Sequence, residues 1–245
     1  MANPIYYILS ALAALVALTV HEYSHAYAAY KLGDDTAKNF GRLTLNPIKH
    51  IDPLGAICMI FLRVGWAKPV PINMRNFKEP RKGFAITALA GPASNLIMAF
   101  ASALLYCLSF ALLRDVRFES RGFMLNLAEN SLLFLYIFHS LNIGLAVFNL
   151  LPIPPLDGSR LLGLLLPPKI YYTILQNERK IYYGLLAWLI LGDYVVMVLR
   201  SIPIIAASSV LSFIVGIFSL SDILGSVISF ISEIMMAPWE FIFNI

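Results

Sequence analysis

This sequence predicts an all-α polytopic membrane protein interrupted by one re-entrant β-hairpin, and three observations predict it. Of 245 residues, 59% are apolar and 13% charged, with a mean hydropathy of +0.76; soluble globular domains carry about 25% charged residues. Apolar stretches near the length needed to cross the bilayer occupy most of the chain and leave no room for a separate soluble domain. The Lys and Arg residues, which set a net charge of +4, are confined to the connections between those stretches. There they orient a membrane protein, and a nucleic-acid partner is not expected. Cys58 and Cys107 fall in separate apolar stretches with no ligand-spaced Cys or His beside them, so both read as packing residues.

The first span runs from about Pro4 to Lys31. Met1-Ala2-Asn3-Pro4 offers no basic region of the kind a secretory signal needs, so the span is expected to stay in the mature protein. Its alanines give it a thin profile, which suits a helix at the centre of a membrane bundle. Towards its C-terminal end it carries His21-Glu22-Tyr23-Ser24-His25. Residues four apart share a helix face, so His21 and His25 can offer imidazole nitrogens to one metal ion with Glu22 beside it. That is the H-E-x-x-H arrangement of zinc hydrolases. Zn²⁺ with an open position lowers the pKa of a bound water to roughly 7, and Glu22 can take its proton. Ionisable groups inside an apolar span are costly unless paired, which favours a metal site over chance; the alternative is a proton or ion pathway.

Lys31 to His50 is polar and rich in turn residues, with Gly33-Asp34-Asp35 and Asn46-Pro47 as breakers. Ile51 to Leu62 is apolar but short and interrupted by Pro53 and Gly55, and Arg63 to Asn73 reads as extended. Together they predict the re-entrant hairpin over about residues 51–75, set against a wet cleft that covers its backbone. Arg63, Lys68, Arg75, Lys78, Arg81 and Lys82 against Glu79 place this connection in the cytoplasm, and with it the His-rich end of the first span. His50, just before the hairpin, is either a proton donor near the cleft or a plain loop histidine.

The second span, about 84–113, contains Gly91-Pro92-Ala93-Ser94-Asn95. Pro92 releases the carbonyl of Ala88, Gly91 permits close backbone contact, and Asn95 is the polar group to watch. Arg114 to Asn130 balances its charges and belongs outside. The third span, about 131–151, carries His139, expected to pack with a backbone or hydroxyl bond. It ends in Asn149-Leu150-Leu151-Pro152-Ile153-Pro154-Pro155-Leu156-Asp157-Gly158. Three prolines in four positions break the helix and turn Asp157 inward, where its carboxylate can complete a metal site. A short helix over Leu161–Leu166, a fourth span over Ile181–Leu199 and a fifth over Pro203–Leu220 follow. Asp222 to Ile245 reads equally as a sixth span or an interfacial helix.

His21-Glu22-x-x-His25, Gly91-Pro92-x-x-Asn95 and Asn149-x-x-Pro152-x-Pro154-x-Leu156-Asp157-Gly158 occur in the order found in the site-2 protease family of intramembrane zinc metalloproteases, and the chain resembles that family over residues 21–158. Gly41-Arg42-Leu43-Thr44-Leu45-Asn46-Pro47 and Gly65-Trp66-Ala67-Lys68-Pro69-Val70-Pro71 are similar to its compact members, which lack a PDZ or CBS domain. The resemblance implies a three-helix catalytic core within residues 1–166, with C-terminal membrane helices over 167–245. It implies Zn²⁺ on His21, His25 and Asp157 and cleavage of a substrate's transmembrane or membrane-adjacent segment, in regulated proteolysis or in clearance of signal-peptide remnants. The expected setting is a prokaryotic plasma membrane, with the lipid bilayer and a transmembrane protein or membrane-embedded peptide as partners.

In such a site Glu22 serves as base and then as acid to the leaving amine. Asn149 is the nearest side chain able to donate to the developing oxyanion, and in the family the matching asparagine is associated with substrate backbone. A helical substrate must unwind before attack, and Asn95 and Asn142 are expected either to accept the released backbone groups or to support the site by interhelical bonds. The competing function is a cation or proton transporter using the same His, Glu and Asp cluster. A transporter would spread polar residues over several spans in two similar halves, and this chain has one dense cluster and no duplicated half.

Overall fold

The computed structural model of the chain describes residues 4–53, 55, 67–114, 116, 122–206, 208–216 and 219–245. The described elements are α1 (Pro4–Lys31), the short α2 (Thr36–Asn39), α3 (Pro80–Leu113), α4 (Phe123–Asn149), α5 (Gly158–Leu165), α6 (Pro168–Gln176), α7 (Glu178–Arg200), α8 (Pro203–Ala206), α9 (Ser209–Gly216) and α10 (Leu220–Phe243), with 3₁₀ turns at Pro47–Lys49 and Met74–Asn76. Among the described residues, five helices are long and apolar enough to cross a membrane: α1, α3, α4, α7 and α10.

The helices α1, α3 and α4 pack on one another, α10 lies against α3 and α4, and α5 lies against α3. In lipid no hydrophobic force brings helices together, so close approach depends on small side chains and on polar bonds between helices. Both are present. Ala13, Ala17, His21, His25 and Ala29 recur every four residues along α1 and are all buried, a single stripe on one face. The α3 face that meets it is equally small, with Ala85, Ala88, Gly91, Asn95, Ala99 and Ala103 buried. His139 of α4 joins three helices: its Nδ1–H donates to Ala99 O on α3 (2.8 Å) and its Nε2 lies 2.9 Å from Ser232 Oγ on α10. This is the backbone and hydroxyl bonding expected of it. The helix α3 runs through Pro92.

Three elements differ from expectation. The hairpin is not what the described part of residues 51–75 forms. Ile51 and Ala67 meet in an isolated antiparallel bridge, but no described residue lies in a strand, Pro53 and Gly55 are helical, and Met74–Asn76 is a 3₁₀ turn. Local chemistry explains the helical start: the Asp52 carboxylate accepts from Gly55 N–H at 2.9 Å, and proline suits the first helical position that follows such a cap. Residues 54 and 56–66, where the expected hairpin would turn, lie outside the described residues. The fifth span expected over Pro203–Leu220 is instead α8 and α9, of four and eight residues, too short to cross a bilayer. Ser208 Oγ accepts from Leu211 N–H at 3.3 Å and restarts the chain as a new helix. Finally, α4 begins at Phe123, within the connection expected up to Asn130; a helix has no reason to end where its apolar stretch does. The C-terminal segment forms α10, 24 residues long and span-like, seated on α3 and α4.

Candidate metal centre

The α1 stripe and the break after α4 meet at one point. His21 Nε2 and His25 Nε2 lie 3.0 Å apart, and each is 3.2 Å from Asp157 Oδ2. Both histidines are buried and Asp157 is half-buried. The other ring nitrogens are engaged away from this point. His25 Nδ1–H donates to Thr87 O at 2.8 Å, and a carbonyl only accepts, so in the neutral imidazole His25 Nε2 presents a lone pair. His21 Nδ1 lies 2.5 Å from Asn95 Oδ1. The carbonyl engaged is therefore that of Thr87, one residue before the Ala88 carbonyl that Pro92 was expected to release.

This donor set fits a zinc ion. Two imidazole nitrogens and a carboxylate oxygen converge at 3.0–3.2 Å from one another; with both rings neutral and their protons on Nδ1, two lone pairs and a negative charge would share one point, an arrangement that a bound cation neutralises. Zn–N and Zn–O bonds of about 2.0–2.2 Å at tetrahedral angles separate ligand atoms by roughly 3.3 Å, close to the observed spacings. The backbone of α3 makes room for the pair. A Cβ built on Gly91 would sit 2.6 Å from His21 Cε1 and from His25 Cε1.

Asp157 reaches the pair because the break doubles back. Residues 151–157 form bends and turns, and Gly158 opens α5 so close to the preceding helix end that a Cβ there would meet Leu151 O at 2.6 Å and Leu150 O closer still. Those neighbours are backbone and cannot swing aside. Gly158→Ala should therefore displace the Asp157 carboxylate. The expected outcome is zinc content below half that of the parent, measured by mass spectrometry of the purified protein. Overpacking should also cost about 1–3 kcal/mol of stability, read by thermal unfolding.

A cavity of about 600 Å³ opens over the three groups. Leu18, Glu22, Leu145, Phe148 and Asn149 line one side, and Tyr182, Leu185, Leu186 and Leu189 of α7 line another. Glu22 Oε2 accepts from Val70 N–H at 3.1 Å, so the strap of residues 67–72, which lines the cavity through Ala67, Pro69, Val70 and Ile72, ties the carboxylate to the cavity wall. Asn149 lines the cavity while its Nδ2 donates to Leu145 O in its own helix at 2.9 Å. Arg160, one turn beyond Asp157, donates to both Glu178 oxygens (2.8 and 3.4 Å) and lies over the Phe84 ring at 5.2 Å, linking the break to the first residue of α7.

The remaining expected site residues do not line the cavity. Asn95 and Asn142 are fully buried behind His21 and outside the cavity lining, so neither faces an incoming backbone. His50 is buried as well: its Nε2–H donates to Thr44 O at 2.7 Å and its Nδ1 faces Arg42 Nη2 at 3.4 Å. It clamps a loop and does not line the cavity.

Sequence reading passed over Arg42, a buried cation whose guanidinium donates to Lys68 O and, at 3.1 Å, to Pro69 O. It fixes the strap that carries Val70, and burial pulls its pKa down while nearby Glu22 pushes it up. It passed over Asp34 too, a buried carboxylate that accepts from Thr36 N, Asn73 N and Asn76 Nδ2 and anchors the other end of the strap. Burial raises the Asp34 pKa, but these hydrogen bonds outweigh it and hold the carboxyl below its ordinary range. A charged residue in a polar loop carries no sign of burial in the sequence alone.

The family model of peptidase family M50 matches residues 9–191. The chain belongs to peptidase family M50. It is 45% identical over 186 residues to the provisionally assigned zinc metalloprotease YwhC of Bacillus subtilis, covering 74% of this chain and 80% of that protein. It is 32% identical over 148 residues to Rip2 of Mycolicibacterium smegmatis and 29% over 150 residues to Rip2 of Mycobacterium tuberculosis, both likewise provisionally named zinc metalloproteases. The chain spans about half the length of the Rip2 proteins, 52% in each case. No solved structure matches it significantly. As an M50 peptidase with five span-length helices it is a multi-pass intramembrane zinc metalloprotease whose cofactor is Zn²⁺. The transport alternative finds no support.

Proposed function

We propose that His21, His25 and Asp157 hold the zinc of this M50 peptidase and that Glu22 is its general base and acid. The observation that carries the assignment is the convergence of the three ligand atoms, all within 4.8 Å of one another, from α1 and from the break after α4. Bound there, zinc supplies an acidified water and a Lewis acid for the scissile carbonyl.

The protein's own groups do the rest. Glu22 takes the proton of the attacking water as the oxygen bonds to the carbonyl carbon. It returns that proton to the amine nitrogen as the C–N bond breaks. Val70 N–H engages one carboxylate oxygen, Oε2, and proton transfer falls to the other. Asn149 donates to the developing oxyanion after releasing Leu145 O, a side-chain rotation within the cavity it already lines. Leu18, Phe84, Leu145, Phe148, Leu185 and Leu189 make the wall apolar, which suits an unwound segment of a membrane-embedded substrate.

The same reading assigns residues 1–166 to the peptidase core and 167–245 to C-terminal helices that wall the cavity through α7. It sets the site towards the cytoplasmic side of a prokaryotic plasma membrane, where the basic residues of the 63–82 connection support that orientation.

Metal removal tests it. Chelator-treated enzyme in lipid nanodiscs should cleave a model transmembrane substrate at the background rate and recover with stoichiometric zinc. His21→Ala and Asp157→Ala should each retain less than a tenth of the parent's zinc. Undiminished cleavage by fully metal-free protein, or a full zinc complement in either variant, would overturn the assignment.

A further inference from the structure

Asn95 and Asn142 sit behind the zinc site, fully buried and bonded in series, and the direction of those bonds can be followed from a fixed end. Phe138 O on α4 is a backbone carbonyl and only accepts. Asn142 Nδ2 donates to it at 2.8 Å, so the Asn142 amide has one orientation and its Oδ1 faces α3. Asn95 Nδ2 donates to that oxygen at 2.7 Å, so the Asn95 Oδ1 faces α1, where it lies 2.5 Å from His21 Nδ1. An amide oxygen has no proton to give, so His21 Nδ1 carries the hydrogen, and in the neutral imidazole that binds a metal His21 Nε2, the atom aimed at Asp157, carries the lone pair.

We propose that Asn95 and Asn142 are positioning residues that transmit the polarity of the Phe138 carbonyl to His21 and so keep it in the tautomer able to bind zinc. The inference rests on the reading of His21 as a zinc ligand. His25 needs no such chain, because Thr87 O reaches its Nδ1 directly. The partner of His21 Nδ1 is a side-chain amide instead, and two side chains carry a backbone carbonyl's polarity to it. Neither asparagine has exposed surface through which bulk solvent could take over its bonds. If either amide flipped, like groups would face each other along the chain and the opposite His21 tautomer would put a proton among the three ligand atoms. Partners of this kind, which orient a metal-binding histidine, typically change metal affinity 10–100-fold when removed.

The test is the zinc affinity of purified protein, measured by competition with a chromophoric chelator, beside the thermal unfolding of the zinc-free form. Asn95→Leu should weaken zinc binding 10–100-fold, and Asn142→Leu about tenfold although it touches no ligand. Asn95→Asp keeps an acceptor on His21 Nδ1, as carboxylates do in many zinc sites, and should stay within about threefold of the parent while losing the Asn142 arrangement. Ser232→Ala removes another polar bond between the same helices, to His139. It should lower the unfolding temperature and leave zinc affinity unchanged, which separates positioning from general loosening. The proposal is overturned if both leucine variants bind zinc as the parent does, if Asn95→Asp loses as much affinity as Asn95→Leu, or if Ser232→Ala weakens zinc in proportion to its lost stability. A parent protein that binds no zinc would instead overturn the ligand assignment.

Discussion

Glu22→Gln should leave one zinc per chain and an unchanged unfolding temperature while lowering cleavage of a transmembrane substrate by 10²–10⁴-fold, the range that general acid–base catalysis contributes. The structure explains why these quantities should separate. Glutamine has the shape of glutamate, and its amide oxygen can accept from Val70 N–H as Glu22 Oε2 does at 3.1 Å, so the strap stays seated. None of the three converging ligand atoms belongs to residue 22, so metal affinity should hold. Only the ability to take and return a proton is lost. The measurement is single-turnover cleavage in nanodiscs with zinc determined on the same sample. Cleavage within tenfold of the parent would remove Glu22 from the proposed base role, whereas a parallel fall in zinc would make it part of the metal's support.

How far the sequence reaches depends on how local the determining physics is. The convergence of His21, His25 and Asp157 was legible because H-E-x-x-H places two of the three side chains on one turn of one helix. The run of prolines after Asn149 forces a break whatever surrounds it, and the structure brings Asp157 to 3.2 Å from both histidines. The thin profile of α1 was legible for the same reason. Elements set by choices between neighbours were not. Asp52 and Pro53 favour a helical start where the extended pattern further on suggested a strand. The apolar run after Pro203 has enough hydrophobicity for a span but is divided at Ser208. Asn95, Asn142 and His50 were recognisable as unusual polar residues, yet their directions depend on bonds to residues 47, 74 and 6 positions distant. Composition gives no access to that information, and it decides whether such a residue faces the cavity or the helix behind it.

Gly91→Ala is expected to be as damaging as loss of a ligand, by a different route. An alanine Cβ at this position would lie 2.6 Å from both His21 Cε1 and His25 Cε1, with His25 Nε2 closer still; carbon atoms at van der Waals contact need about 3.5–4.0 Å. The imidazoles cannot turn away, because each Nδ1 is tied, one to Asn95 and the other to Thr87 O. The strain must pass to the backbones of α1 and α3, which meet through alanines and have no long side chains to repack. Zinc affinity should fall at least 100-fold and cleavage to background, and overpacking should cost about 1–3 kcal/mol, partly offset by the gain of about 0.5–1 kcal/mol that alanine brings to a helix interior. Gly144→Ala is the control. Among the described residues its Cβ would meet only Ile228 Cδ1, at an ordinary 3.6 Å, so the same substitution in α4 should keep zinc and activity and raise the unfolding temperature slightly. If Gly91→Ala instead behaves as Gly144→Ala does, binding zinc and cleaving substrate at the parent's rate, then α1 and α3 do not meet at His21 and His25 as described, and the site these helices share must be redrawn.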